Sequence, residues 1–115
     1  MIAIEITGEQ RLRTHMMLGT MTTNLDDSIL LKKIRKVAGL STEEVAVLGL
    51  HIEIVDPRTG AGYWAFDQVK AAALLGAKIE LEDEYAQRLY QALKTSPGHT
   101  AENNDWAETL AEALK

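Results

Sequence analysis

Four cations fall between positions 32 and 36, namely Lys32, Lys33, Arg35 and Lys36, and a fifth, Arg58, sits in the turn sequence Asp56-Pro57-Arg58-Thr59-Gly60. Lysine and arginine at such density can contact phosphates and position a nucleic acid. The motif around them is a helix–turn–helix followed by a hairpin, the order of a winged helix. Base recognition would come from the first turns of the second helix, where the chain offers Thr42, Glu43 and Glu44 and then Val45, Ala46 and Val47. No Arg, Lys, Asn or Gln stands there to read a base edge, and carboxylates facing phosphates repel. A winged-helix scaffold that does not read DNA is therefore favoured over a DNA-binding regulator using these five cations.

Tyr63, Trp64, Trp106, Leu110 and Leu114 form the second set. Aromatic anchors of this kind dominate protein–protein contacts, and these five residues are the expected protein-binding surface. Against this stands a core role, since the chain has a single Phe to fill its interior.

Catalytic patterns are lacking. The chain contains no Cys, no G-x-S-x-G, no Walker loop and no G-x-G-x-x-G. Thr59-Gly-Ala-Gly62 is glycine-rich but belongs to a turn. His15, His51 and His99 show no ligand spacing; His51 and Glu53 would share one strand face, a pairing more often fortuitous than metal-binding. Glu80, Glu82, Asp83 and Glu84 are explained by a helix start, where the dipole favours negative charge. No enzyme activity, cofactor or metal is expected.

The elements that must position these groups are marked by local chemistry. Ile2, Ile4 and Ile6 alternate as a short strand. Thr7-Gly-Glu-Gln10 is a capping box opening a helix with Leu12, Met16 and Met17 or Gly19 as its apolar stripe, stopping near Gly19. The Met pair reads as core filler, with a Met-rich binding surface as the alternative. Asp26, Asp27 and Ser28 cap a second helix with Leu30 or Leu31, Ile34, Val37 and Ala38 inward, ended by Gly39 at positive φ. Ser41-Thr-Glu-Glu44 is a second capping box, with Leu40 and Val45 at the hydrophobic-staple positions and Gly49 as its stop. The hairpin joins His51–Val55 to Gly62–Phe66. Asp67 caps a short helix running to Gly76, Lys78–Leu81 is a strand, and Glu82 begins a helix with Tyr85, Leu89 and Leu93 on its stripe.

Three segments follow from this: a compact α+β domain over 1–95, mostly helical with a winged-helix-like centre, a linker over 96–104, and a docked amphipathic helix over 105–115. At 115 residues the chain supports one modest core. A net charge of −5 disfavours indiscriminate attraction to nucleic acid or anionic lipid, and no apolar run is long enough to span a membrane. The opening MIAIEITGEQ lacks the basic and apolar regions of a signal peptide, so a cytoplasmic location is expected.

The succession IEIT, KKIRKV, LSTEE, a Trp-containing strand and KIELEDEY resembles a family of small phage and prophage accessory proteins. Its members share an opening strand, an L-S-x-E-E helix start and an E-I-E-type strand leading into a helix. The likeness spans most of the chain, and Phe66–Ala77 departs from it, being longer and more helical. It implies a viral or prophage origin and a non-enzymatic role, and transfers no binding residue. The expected function is thus a phage-type accessory protein acting through protein contacts, with homodimerisation among them. The alternatives are the DNA-binding regulator and an acidic inhibitor that mimics nucleic acid.

Overall fold

The computed structural model describes all 115 residues, Met1–Lys115. In chain order the elements are β1 (Ile2–Ile6), α1 (Gly8–Thr20), α2 (Leu25–Ala38), α3 (Thr42–Leu48), β2 (His51–Asp56), β3 (Ala61–Ala65), α4 (Gln68–Ala72), β4 (Ala77–Leu81), α5 (Asp83–Thr95) and α6 (Asp105–Leu114). The class is α+β. Two separate two-stranded antiparallel sheets are present, β1 with β4 and β2 with β3. The hairpin after the helix–turn–helix therefore carries no third strand; the opening strand pairs instead with β4, placing Ile4 opposite Ile79 and Ile2 opposite Leu81.

Helix starts follow the capping chemistry closely, but α4 stops at Ala72, short of the expected end at Gly76. Thr7 and Gln10 close a complete capping box at the start of α1, and Ser41 and Glu44 close another at α3. Asp67 Oδ1 accepts from Val69 N and Lys70 N at 3.0 and 3.1 Å to start α4. The helix α2 begins earlier than Asp26 implied: Asn24 is the cap, its Oδ1 accepting from Asp27 N at 2.9 Å, and Asp26 and Asp27 sit in the first turn, where they meet the positive end of the dipole. Gly49 takes the left-handed conformation at φ 62° that a helix stop requires.

Gly39 does not. Its φ is −98°, within reach of any residue. Glycine is needed there for space, because a Cβ would lie 2.6 Å from Arg35 O and 2.8 Å from His15 Nδ1. That close approach lets His15 Nδ1 accept from Leu40 N at 3.1 Å, so a side chain of α1 grips the turn between α2 and α3.

Buried side chains fall into two cores. The larger joins Ile4, Ile6, Leu18, Leu31, Ile34, Leu81, Leu89, Leu93, Leu110 and Leu114, drawn from the β1–β4 sheet and from α1, α2, α5 and α6. The smaller joins Leu12, Leu40, Leu48 and Leu50, with Met16, Trp64, Phe66 and Leu74 against it. Packed between the two, α1 buries Gln10 and Thr14 as well as Leu12 and Leu18, so its inner face is wider and more polar than the Leu12–Met16 stripe indicated. It also runs through Gly19 to Thr20.

The last helix is part of the larger core. Ala107, Leu110 and Leu114 are buried, and Gln10 Nε2 donates to Trp106 O at 3.2 Å, tying α6 to the start of α1. The expected linker is folded back over α5: Ser96 N donates to Ala92 O at 2.9 Å, and a His99 ring nitrogen lies 3.1 Å from Leu93 O. No helix is long and apolar enough to cross a membrane.

Candidate functional site

The aromatic residues expected to bind a protein partner are divided by the fold. Leu110 and Leu114, 1% and 6% exposed, are core residues, and docking of α6 removes them from the surface. Tyr63 is 58% exposed and pairs across the hairpin with Glu53, on the face opposite Trp64. Strand alternation puts adjacent residues on opposite faces, so Tyr63 and Trp64 cannot share a contact. Trp64 and Trp106, by contrast, come together.

Trp64 lies where β3 returns to the body and packs with Phe66 against the smaller core. Trp106 opens α6, its ring tilted at 46° to that of His99 with centroids 5.8 Å apart. Between the two tryptophans run Arg13, Met16 and Met17 of α1, and together they line a hollow of about 250 Å³. A second hollow of about 530 Å³ continues from it, lined by Leu12, Met16, Trp64, Phe66, Ala71 and Leu74. Arg13, Met16 and Trp64 line both, so the result is one groove across α1. Its larger part is lined mainly by hydrophobic residues, while the part between the tryptophans also carries Thr20, Ser96, His99 and Asn103; Arg13 and Glu9, whose charges are 3.5 Å apart, flank it. Trp, Met and Arg are the residue types enriched where proteins meet. Trp64, Trp106 and the adjacent methionines were the signs of this surface in the sequence; Arg13 and His99 gave none.

The five cations do not form one face. Lys32, Arg35 and Lys36 line a hollow of about 280 Å³ with His15, Leu40, Thr42 and Val45. Lys33 lies elsewhere, lining a wider concavity with Asp26, Asp27, Glu82 and Glu84. Arg58 stands in the exposed hairpin turn, where its N–H donates to Asp56 Oδ1 at 2.9 Å.

Charge is also distributed differently from the sequence expectation. Glu44 does not project freely from α3. Its carboxylate takes the Arg11 guanidinium in a two-pronged bond, Nη1 at 2.9 Å from Oε2, and accepts from Ser41 N at 3.0 Å. The Arg11 bond, with help from Ser41, holds its carboxyl below the usual carboxylate range against the opposing effect of burial. Asp27 is similarly engaged by Arg88, both bonds being 2.7 Å, and is lowered to about 2.

The histidines have local duties. His51 lies 2.7 Å from Glu53 and 2.6 Å from Gly49 O, and the Glu53 bond above all raises its pKa. No third His, Cys, Asp or Glu joins that pair in a metal-binding group. His15 is shifted the other way, lowered by burial first and by Arg35 second, with Glu44 opposing.

No protein-family model matches the chain, and no curated protein or solved structure is detectably similar to it.

Proposed function

We propose that the protein is a non-enzymatic binding module that acts through protein contacts, with the Trp64–Trp106 groove as its docking surface. One observation carries this reading. Two tryptophans far apart in sequence, on a hairpin and on the last helix, line one hollow with Met16, Met17 and Arg13, and the hollow opens into a larger apolar groove. The occupant that suits such a groove is a short segment with an aliphatic or aromatic anchor, seated as an amphipathic helix seats its apolar face. A phage-type accessory role, drawn from the motif resemblance, is compatible with such a module.

Selection of a random peptide library on the immobilised protein tests the reading. Enriched peptides should shift tryptophan emission on binding and should lose affinity at least about tenfold for Met16→Glu, which sets a charge into the apolar floor. Sedimentation equilibrium of both proteins shows whether a second copy is the natural occupant. Peptides that bind wild type and Met16→Glu alike, or no enrichment, would sink the groove.

A second reading, a nucleic-acid-binding regulator, is favoured by the engagement of Glu44 with Arg11, which removes one repulsive carboxylate from the start of α3. Duplex affinity falling steeply between about 50 and 200 mM salt would support it; no binding at low salt would retire it.

A further inference from the structure

We propose that the hollow between α1, α2 and the start of α3 is a phosphate-binding site, with Lys32, Arg35 and Lys36 as its cations and His15 and Thr42 as neutral donors. Seven residues line this space of about 280 Å³, and none is acidic. In a chain with 17 acidic and 12 basic residues, three cations around one hollow without a carboxylate are out of keeping with the average surface. None of the three is engaged in an ion pair, although Arg11, Arg13 and Arg88 all are.

The placement follows from helical geometry. Positions 32, 35 and 36 are related by i+3 and i+4 spacing, so their side chains can share one face of α2; Lys33, on the far side of Lys36 from Arg35, lines a different concavity. Arg35 reaches toward α1, where a Cβ on Gly19 would sit 2.6 Å from its Nη1. His15 faces the same hollow, and its tautomer is fixed by its neighbour: Nδ1 accepts from Leu40 N, leaving the proton on Nε2 in the neutral ring. Thr42 lines the hollow as well, adding a hydroxyl-bearing side chain to its wall.

The charged groups bearing on His15 are Lys32, Arg35 and Lys36 from α2, Glu44 from α3 and, through its pair with Glu44, Arg11 from α1. The near carboxylate is thus already neutralised, and the neighbouring Glu43 does not line the space. A tetrahedral dianion would receive charge-assisted bonds from the cations, which are stronger than neutral ones, and the imidazole N–H and threonine hydroxyl complete a mixed donor set. The ligand class is a phosphate group with exposed oxygens, either on a free phosphorylated small molecule or on a nucleic-acid backbone.

Proton NMR of the three histidines, with phosphate replacing chloride at constant ionic strength, tests the site. The expected result is a saturable shift of the His15 ring signals with Kd on the order of 1 mM, and a rise in the His15 titration midpoint, while His51 and His99 stay fixed. Lys36→Glu should weaken binding at least about tenfold, the loss expected from one charge-assisted contact. Lys33→Glu makes the same charge change on the same helix outside the hollow and should leave binding within about twofold, as an exposed charge screened by salt. A short DNA duplex that displaces phosphate at micromolar concentration would identify the backbone as the source; a duplex that does not would assign the site to a free phosphorylated ligand. No saturable shift, equal shifts at all three histidines, or an unchanged Kd in Lys36→Glu would overturn the proposal.

Discussion

A double-mutant cycle on Arg11 and Glu44 asks whether the helix–turn–helix is held from α1. The Glu44 carboxylate has two tasks, closing the capping box on Ser41 N at 3.0 Å and receiving the Arg11 fork with Nη1 at 2.9 Å. The side chains are 14% and 28% exposed, so the pair is shielded from water without being dry. Exposed ion pairs contribute about 0–1 kcal/mol, whereas a hydrogen bond to a charged group contributes about 1.5–3. A covered two-pronged pair should couple by about 2 kcal/mol on that scale. Arg11→Ala also forfeits the bond to Leu75 O at 2.9 Å, and Glu44→Ala forfeits the capping box; each adds about 1 kcal/mol. Each single variant then loses about 3 kcal/mol and the double variant about 4, against a total of about 5–15 for a typical domain. Urea unfolding followed by circular dichroism measures all four proteins. Single losses that add within about 0.5 kcal/mol would mean that the pair contributes nothing beyond its parts and that the reasoning fails. The pH dependence gives an independent check. The folded carboxyl of Glu44 is depressed, so its stabilisation is complete above the ordinary glutamate range and is lost as pH falls through the folded value. Glu44→Gln should lack that part of the acid slope.

Four further substitutions follow from the same geometry. Thr14 is 0% exposed and its hydroxyl has no partner, so Thr14→Val, of equal shape, should stabilise by about 1 kcal/mol and raise Tm by about 4–8 °C; a lower Tm would show that the hydroxyl is bonded. Asp27 is lowered to about 2 by Arg88 and, secondarily, Thr23; its stabilising effect is full above pH 4 or so and drains toward pH 2, and Asp27→Asn should flatten that limb of an acid titration. Leu110→Ala should cost about 2–5 kcal/mol independent of protein concentration, since the side chain is core within one chain; a concentration-dependent Tm would place α6 in an interface instead. Gly39→Ala should cost about 1–3 kcal/mol by steric overlap with Arg35 O and His15 Nδ1, despite a φ that alanine accepts, and a melt matching wild type would show that the turn can open.

What was legible in the sequence is chemistry that acts over three or four residues. Thr7 with Gln10, Ser41 with Glu44, Asp67 and Gly49 each mark a helix end through bonds to their own neighbours, and the structure has each as read. Partnership over long range was not legible. Ile2–Ile6 alternates equally well for any strand it might meet, and nothing local names β4 over the hairpin as its partner. Gly39 shows the same limit, because a glycine at a helix end implies positive φ whereas the true constraint is the His15 ring, supplied from α1. Burial of Gln10 and Thr14 is not signalled by the single apolar stripe of α1, because one stripe implies one core. With a core on either side, α1 buries polar residues that a single-face pattern assigns to solvent.

The candidate sites divide along the same line. That Lys32 and Lys36 share a face of α2 could be read from spacing alone, whereas which of Lys33 and Arg35 joins them depends on what packs beside the helix. That Glu44 would be occupied by Arg11, 33 positions earlier, could not. This second fact changes the sign of the electrostatic argument at the turn. Two carboxylates at the head of α3 count in sequence as repulsion toward any phosphate, yet one is committed to an internal pair and the other stands outside the hollow. The free charges that line that space are all positive. A net charge of −5 describes the molecule at a distance; inside the hollow at the α2–α3 turn the lining charges are Lys32, Arg35 and Lys36, while the unpaired Glu43 beside it remains close enough to be felt at ordinary ionic strength.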